Sequence, residues 1–432
     1  MDGNQLLQRL GKLRDITSMK EVAPLTNAMF PGAHCPLMGA AMAVRGIKDA
    51  LILIVGTDEC AYYTKHMTIH SEEFGGMMGR CVSVVLDTRD VTFGCKKKLE
   101  LAMRELVEEY RPKVVFLVTT CVVEVIGDDA DALADGLSET YQIPVLPVHT
   151  EHFKCDNHMP GLERTITACF ELMKDQKKRG TVNLLGQRMG NFETTELSRM
   201  LREHGVRVGM QLPCGCTVEE IETAPQAQLN IVVHTIALPL AKKMEQKFGI
   251  PYVFFNKFTE PDHIYEAYQT LFEHLKLPLP KEIDTLYQEA KTAKEKAYKN
   301  LKGMTYIYGN TPFDCMEFNQ FMTEEGMIPQ IIQISSFDEE IDGPAAKKIS
   351  QAADPYVAKS ANIAPMQYLY DVLHPNLYLG HEFAARLREK KIAMVHSDKA
   401  SGMLGFEVTT YILKELMRAA EEAKELAKEA TR

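Results

Sequence analysis

The stretch 51-LILIVGTDECAYY-63 sets five apolar residues, Leu51 to Val55, before a Gly-Thr-Asp-Glu turn and then a cysteine. An unbroken apolar run of this length, stopped by Gly56, predicts a strand covered on both faces, the usual state of a parallel sheet between helices. Cys60 then lies just past the strand's carboxyl end. Open α/β sheets place ligands along that edge, because there the loops leave the packed core and can be shaped independently of it. A single thiol is as readily a small core hydrophobe as a ligand, so the reading turns on whether others share its position.

The stretch 114-VVFLVTTC-121 repeats the layout, delivering Cys121 from a second buried strand. A third thiol, Cys35, follows an irregular loop in 30-FPGAHCPLMGA-40, where Pro31, Gly32 and Pro36 keep the backbone open. The intervals of 25 and 61 residues fit neither a compact ferredoxin motif nor a zinc ribbon, since no paired Cys-x2-Cys occurs. Residue chemistry alone leaves a shared metal or cluster site and three unrelated thiols both open.

Working outward, strand, polar turn, helix and strand recur along the chain. Val114 to Val118, a helical pattern and a second strand after Pro144 form one unit. Residues 181–212 and 304–335 each read as strand, Gly turn, helix, Gly, strand at closely similar spacing. Parallel strands need such crossover connections. A charged helical run at 281–303 and the segment 174-KDQKKRG-180 mark boundaries. The expected architecture is α/β, with three consecutive Rossmann-like domains and mostly parallel sheets: 1–178 carrying the cysteines, 179–300 lining a cavity, and 301–432 ending in a long Ala/Glu/Lys-rich helix from about 406 to 430.

The 432 residues carry 49 Lys and Arg against 59 Asp and Glu, and no basic run suggests a phosphate-tracking groove. Nucleic acid is therefore not an expected partner. No apolar stretch approaches the roughly 18 residues of a membrane span, and the start lacks a signal-peptide layout, so a cytoplasmic protein without a membrane partner is expected. Ten cysteines in such a chain point to metal ligands or core residues rather than disulfides. There is no Gly-x4-Gly-Lys-Ser/Thr loop and no Gly-x-Gly-x2-Gly after a strand, so the chain is not expected to bind ATP or NAD itself.

The order of Cys35, Cys60 and Cys121, with 87-DTRDVTFGCKKKLELAMRELVEEYRPK-113 between the last two and 124-EVIGDD-129 after them, resembles the nitrogenase component 1 superfamily. The segments GTDECAYY and TTCVVEVI are similar to the N subunit of dark-operative protochlorophyllide reductase. VTFG, IGDD, LNIVVH and KKMEQKFGIPY are closer to nitrogenase and its cofactor scaffold. The resemblance implies an iron–sulfur cluster, four-iron or larger and P-cluster-like, at an interface with an identical or paralogous subunit, with Cys35, Cys60 and Cys121 as this chain's ligands. It further implies an ATP-dependent iron–sulfur reductase that delivers electrons, and a small-molecule substrate or transferable cofactor in an interdomain cavity. On this resemblance the chain is an oxidoreductase; the alternative is a scaffold on which a nitrogenase-type metallocluster is assembled.

Departures from the family pattern bear on the cavity. Where the nitrogenase catalytic subunit has the cysteine that holds its cofactor this chain has His234, and where it has the cofactor histidine this chain has Leu404 in SGMLGFE. His234 is open to three readings: a ligand to a second metallocofactor, a donor lining the cavity, or a core histidine. The stretch 147-PVHTEHFKCDNHMPG-161 spaces His149, His152, Cys155 and His158 every three residues. On a helix or tight turns these could share a face and bind metal; His152 and His158 could instead line the cavity as proton donors, or all could be surface or structural histidines. Asp58 and Glu59, and likewise Asp128 and Asp129, read as helix N-terminal charges. Cys214 and Cys216 in LPCGCTVEEIE could clip a metal or form a redox pair, but a loop closed by a Thr217–Glu220 capping box explains the same residues.

Overall fold

The structure is a computed structural model that describes residues 2–27, 34–70, 79–155, 157–360 and 363–429. Pro31, Gly32 and Asp156 lie outside the described residues. Fourteen strands are described: β1 (Gly11–Lys12), β2 (Ala50–Gly56), β3 (Cys81–Val85), β4 (Val114–Thr119), β5 (Val145–Val148), β6 (Thr181–Gln187), β7 (Val208–Pro213), β8 (Ala227–Val232), β9 (Tyr252–Phe254), β10 (Thr305–Tyr308), β11 (Ile328–Ile334), β12 (Tyr356–Lys359), β13 (Leu377–Leu379) and β14 (Ala393–Val395). They form three sheets, ordered β3-β2-β4-β5, β7-β6-β8-β9 and β1-β12-β11-β10-β13-β14. Every pairing is parallel except that of β1 with β12.

The apolar runs behave as expected of strands covered on both faces. Every residue of β2 and β4 is buried. Their side chains divide by alternation: Ile52, Ile54, Phe116 and Val118 enter one core, while Leu51, Leu53, Val55, Val115 and Leu117 enter another. The period of two forces this division, since neighbouring side chains leave a strand on opposite sides. The expected units at 181–212 and 304–335 are present as β6, helix Glu196–Glu203, β7 and as β10, helix Cys315–Glu324, β11. The charged run forms helix Lys281–Leu301, and the last helix spans Phe406–Glu429.

The packing gathers these sheets into two compact units: one comprises Met1–Ala33, Gly190–Met200 and Phe255–Arg432, the other His34–Met189 and Leu201–Phe254. The first holds the sheet β1-β12-β11-β10-β13-β14; the second holds both four-stranded sheets, whose buried residues Ile52, Phe116, Leu185, Leu212 and Val232 belong to one core. The division at 178 and 300 stands as a proposal about how the chain is assembled from sheets.

In β3-β2-β4-β5 the chain leaves β2 toward one edge and β4 toward the other, so the switch point lies between the carboxyl ends of β2 and β4. In β7-β6-β8-β9 it lies between β6 and β8. Splayed loops open a crevice at such points.

Candidate functional site

The chain passes from the end of β2 into helix Asp58–His70, placing Cys60 in the first turn, and from the end of β4 into helix Cys121–Ile126, which Cys121 opens. The two exits touch. The backbone N–H of Thr120 donates to the Val55 carbonyl at 3.1 Å, and a Cβ on Gly56 would stand 2.2 Å from Thr120 Oγ1. Only glycine permits that approach, so Gly56 sets the two cysteine-bearing loops side by side.

Cys35 is the N-cap of helix Pro36–Arg45, which crosses helix Met159–Ala168 with unusual closeness. A Cβ on Gly39 would lie 1.9 Å from the His158 carbonyl oxygen, and one on Gly161 would lie 1.8 Å from that of Pro36. This pair of glycines lets the two helix starts meet. As a result the His34 and His158 rings pack edge to face with centroids 6.1 Å apart, and His34 Nδ1 shares a hydrogen bond with the Tyr63 hydroxyl.

The three thiols are electrostatically coupled. Cys60 lies within electrostatic reach of both Cys35 and Cys121, and Cys35 of Cys121. Burial pushes the Cys35 thiol up, against the backbone N–H groups of Met38 and Leu37, which favour its thiolate. Burial and then Cys60 do the same to Cys121. Packed thiols that raise one another's pKa values gain from a positive centre that takes their thiolates. Among the described residues no three His, Cys, Asp or Glu side chains are arranged around a single ion. Thiolates are the donors that iron–sulfur clusters take, each iron binding its own sulfur. The donor set therefore fits an iron–sulfur cluster.

One side chain that the sequence reading passed over organises this edge. Glu124 accepts from Thr119 Oγ1 and from the backbone N–H of Thr150, both at 2.6 Å, and from that of Glu151 at 2.8 Å. Arg164 holds the same loop from the other side through the His149 and Thr150 carbonyls at 3.0 and 2.7 Å and an ion pair with Glu151 at 2.8 Å. The clamped loop brings His152 Nδ1 to 3.5 Å from Cys121 Sγ. An acidic residue three positions beyond a cysteine was the available signal, but two of its three partners lie 26 and 27 residues away.

The histidine stretch does not form one face. His149 pairs with Asp131 at 3.1 Å, His152 turns to Cys121, Cys155 Sγ lies 3.9 Å from the Thr150 carbonyl, and His158 faces His34. The helix or turns that would align them are interrupted by a 3-10 turn at His152–Lys154 and a new helix start at His158. His158 is also a poor proton donor near neutrality. Burial, then the positive charge of Arg188, lowers it to about 4. His234 follows β8 and caps the turn Thr235–Ala237, its Nδ1 accepting from the Ile236 N–H at 3.2 Å. Leu404 is fully buried and brings no ligating atom.

The remaining candidates resolve as local structure. Asp58 and Glu59 occupy the first turn of their helix, and Asp129 caps helix Ala130–Tyr141. Asp128 instead accepts from the Cys95 N–H at 3.1 Å, at the start of helix Lys96–Tyr110. Thr217 and Glu220 form the expected capping box. Cys216 is buried, and burial holds its thiol well above its ordinary value.

Large apolar side chains surround the thiol edge in the open: Tyr62 is 69% exposed, Phe93 81%, Val125 73% and Phe153 58%. Tyr62 follows Cys60 by two residues, Val125 shares the helix of Cys121, and Phe153 adjoins His152. No helix among the described residues is long and apolar enough to cross a membrane.

The sequence and the fold both resemble known proteins. Residues 35–421 match the family model for nitrogenase component 1 type oxidoreductases. The nitrogenase iron-molybdenum cofactor biosynthesis protein NifE of Clostridium pasteurianum is 36% identical over 223 residues, 51% of this chain and 49% of that protein. The nitrogenase molybdenum-iron protein alpha chain of Methanosarcina barkeri is 29% identical over 292 residues, 63% of this chain and 54% of that one. The matches span about half the length of these relatives. The solved nitrogenase Cp1 at pH 6.5 shares the fold, with a TM-score of 0.78 and 16% identity, covering 93% of this chain and 94% of that one. An α/β chain that matches this family model over nearly all its length belongs to the nitrogenase component 1 type oxidoreductase family.

Proposed function

We propose that the chain is a nitrogenase-like component 1 subunit in which Cys35, Cys60 and Cys121 hold an iron–sulfur cluster shared with a second, identical or paralogous subunit. When bound, the cluster supplies one-electron storage and transfer at low potential. The chain's own residues supply the thiolates, shield them in part from water, and place His152 beside Cys121, where it can donate a hydrogen bond to the sulfur and so tune its basicity. The observation that carries the reading is the electrostatic coupling of three thiols, two from strand ends and one from a helix start. The exposed Tyr62, Phe93, Val125 and Phe153 around it suit a surface that a partner covers. Electrons would arrive from a separate ATP-dependent iron–sulfur reductase and pass to a small-molecule ligand near His234, His152 and His158. The setting is cytoplasmic.

A second reading is favoured by the likeness to NifE: a scaffold on which a transferable metallocluster is matured. Both readings use the same thiols and separate at the cavity. The test measures iron, sulfide and electron paramagnetic resonance on anaerobically purified protein, for the wild type, Cys121→Ala and His234→Ala. Loss of most iron in Cys121→Ala, with His234→Ala unchanged, is the result expected of one shared cluster and a metal-free ligand site. A separable metal population lost in His234→Ala would favour the scaffold or a cofactor-bearing reductase. Full iron in Cys121→Ala would overturn the assignment of that ligand.

A further inference from the structure

Arg188 stands at the second switch point, one residue past the end of β6, and none of the chemistry above uses it. The strand is prepared for it. Gly186 sits at φ +101° where the pairing of β6 with β7 shifts register between Leu185 and Gln187, and a Cβ there would lie 3.0 Å from His234 beyond the neighbouring β8. A bulge of this kind re-aims the residues that follow it. The guanidinium carries five N–H donors. Among the described residues its one hydrogen-bond partner is the Met159 thioether at 3.3 Å, a weak acceptor, and no carboxylate there pairs with it. Burial alone lowers it to about 10, so it keeps its charge at neutral pH. Its neighbour His158 stays uncharged there, which leaves one fixed positive charge beside a neutral imidazole.

A partly buried cation that meets no anion is costly, and chains keep such a group where a ligand supplies the missing charge. We propose that Arg188, with His158 alongside, binds an oxyanion of the chain's small-molecule ligand, a carboxylate or a phosphate taken by the planar guanidinium fork. The fork matches two oxygens of either group, which a lysine ammonium would not. This inference rests on the reading that the chain handles a small-molecule ligand and is independent of whether the thiols hold a cluster.

The test uses the full chain, purified anaerobically, as wild type, Arg188→Met and Arg188→Lys. Sodium succinate and sodium phosphate are the probes, each against sodium chloride at matched ionic strength, and thermal unfolding and iron content are the readouts. A bound anion raises Tm in a saturable way. The expected result is a saturable rise in the wild type, at least ten-fold weaker binding in Arg188→Met, and partial recovery in Arg188→Lys. Without an anion, Arg188→Met should unfold no lower than the wild type, because it removes an unpaired charge. A response to succinate alone identifies a carboxylate, and one to phosphate alone a phosphate. The proposal is overturned if the wild type answers neither probe, if Arg188→Met responds as the wild type does, or if Arg188→Met melts several degrees lower without anion, the mark of a structural arginine. Iron content should be the same in all three proteins; low iron throughout would count against the cluster and leave the anion result standing.

Discussion

Glu124 ties the end of β4 to the loop that carries His152 by three short hydrogen bonds, two of them from backbone N–H groups. Glu124→Gln keeps the shape but replaces one acceptor oxygen with a donor opposite other donors. A loss of about 1–3 kcal/mol is expected, read from the urea midpoint, together with a change in the spectrum of a bound cluster as His152 leaves Cys121. An unchanged midpoint would show that water replaces the carboxylate at no loss. His158 predicts a pH dependence. Its folded value of about 4 lies below the ordinary 6.5, so between these values the unfolded chain holds the proton and the folded chain does not. Its contribution is complete above pH 6.5 and is lost as pH falls toward 4, by up to on the order of 3 kcal/mol. His158→Gln should flatten that slope; equal slopes in the two proteins would refute the assignment.

At the scale of elements, the crossing of helices Pro36–Arg45 and Met159–Ala168 carries Cys35 to the thiol edge. Gly161→Ala would put a methyl group 1.8 Å from the Pro36 carbonyl oxygen, against backbone that cannot turn aside. Forcing the helices apart should lower stability by about 1–3 kcal/mol and, because Cys35 rides on the displaced helix, lower iron content as well. Gly136→Ala is the control, a helical glycine whose Cβ would meet nothing within 4 Å; it should be neutral or slightly stabilising. Both glycines lie in helical patterns that read alike in the sequence, and only the crossing partner distinguishes them.

On the whole-molecule scale the two units should respond oppositely to acid. The unit with the six-stranded sheet buries Glu196 and Glu325, both raised to about 7, and half-buries Asp342, raised to about 6, each by desolvation first. The folded state keeps these protons after the unfolded chain has released them. Their contribution is therefore complete below the ordinary carboxyl values and falls as pH rises through 6 to 7. His158 gives the other unit the reverse sign. Hydrogen exchange, corrected for intrinsic rates, should show the first unit better protected at pH 5 than at pH 8 and the second less protected. Parallel changes in both would contradict these assignments.

The sequence by itself determined the strands β2 and β4, the helices at 281–301 and 406–429, the thiols at strand exits, and the Thr217 cap. Each rests on residues within about a turn or a strand of one another, so local periodicity and capping chemistry carry the information. Strand order was decided only by tertiary structure, because it depends on which buried faces pack together across long separations. It places the exits of β2 and β4, whose cysteines are 61 residues apart, side by side, and those of β6 and β8 likewise. The same long-range packing separated the four residues spaced by threes from 149 to 158, clamped their loop through Glu124, and, among the described residues, left Arg188 with no carboxylate partner. A charge is visible in a sequence, but the absence of a partner for it appears only once the chain has folded around it.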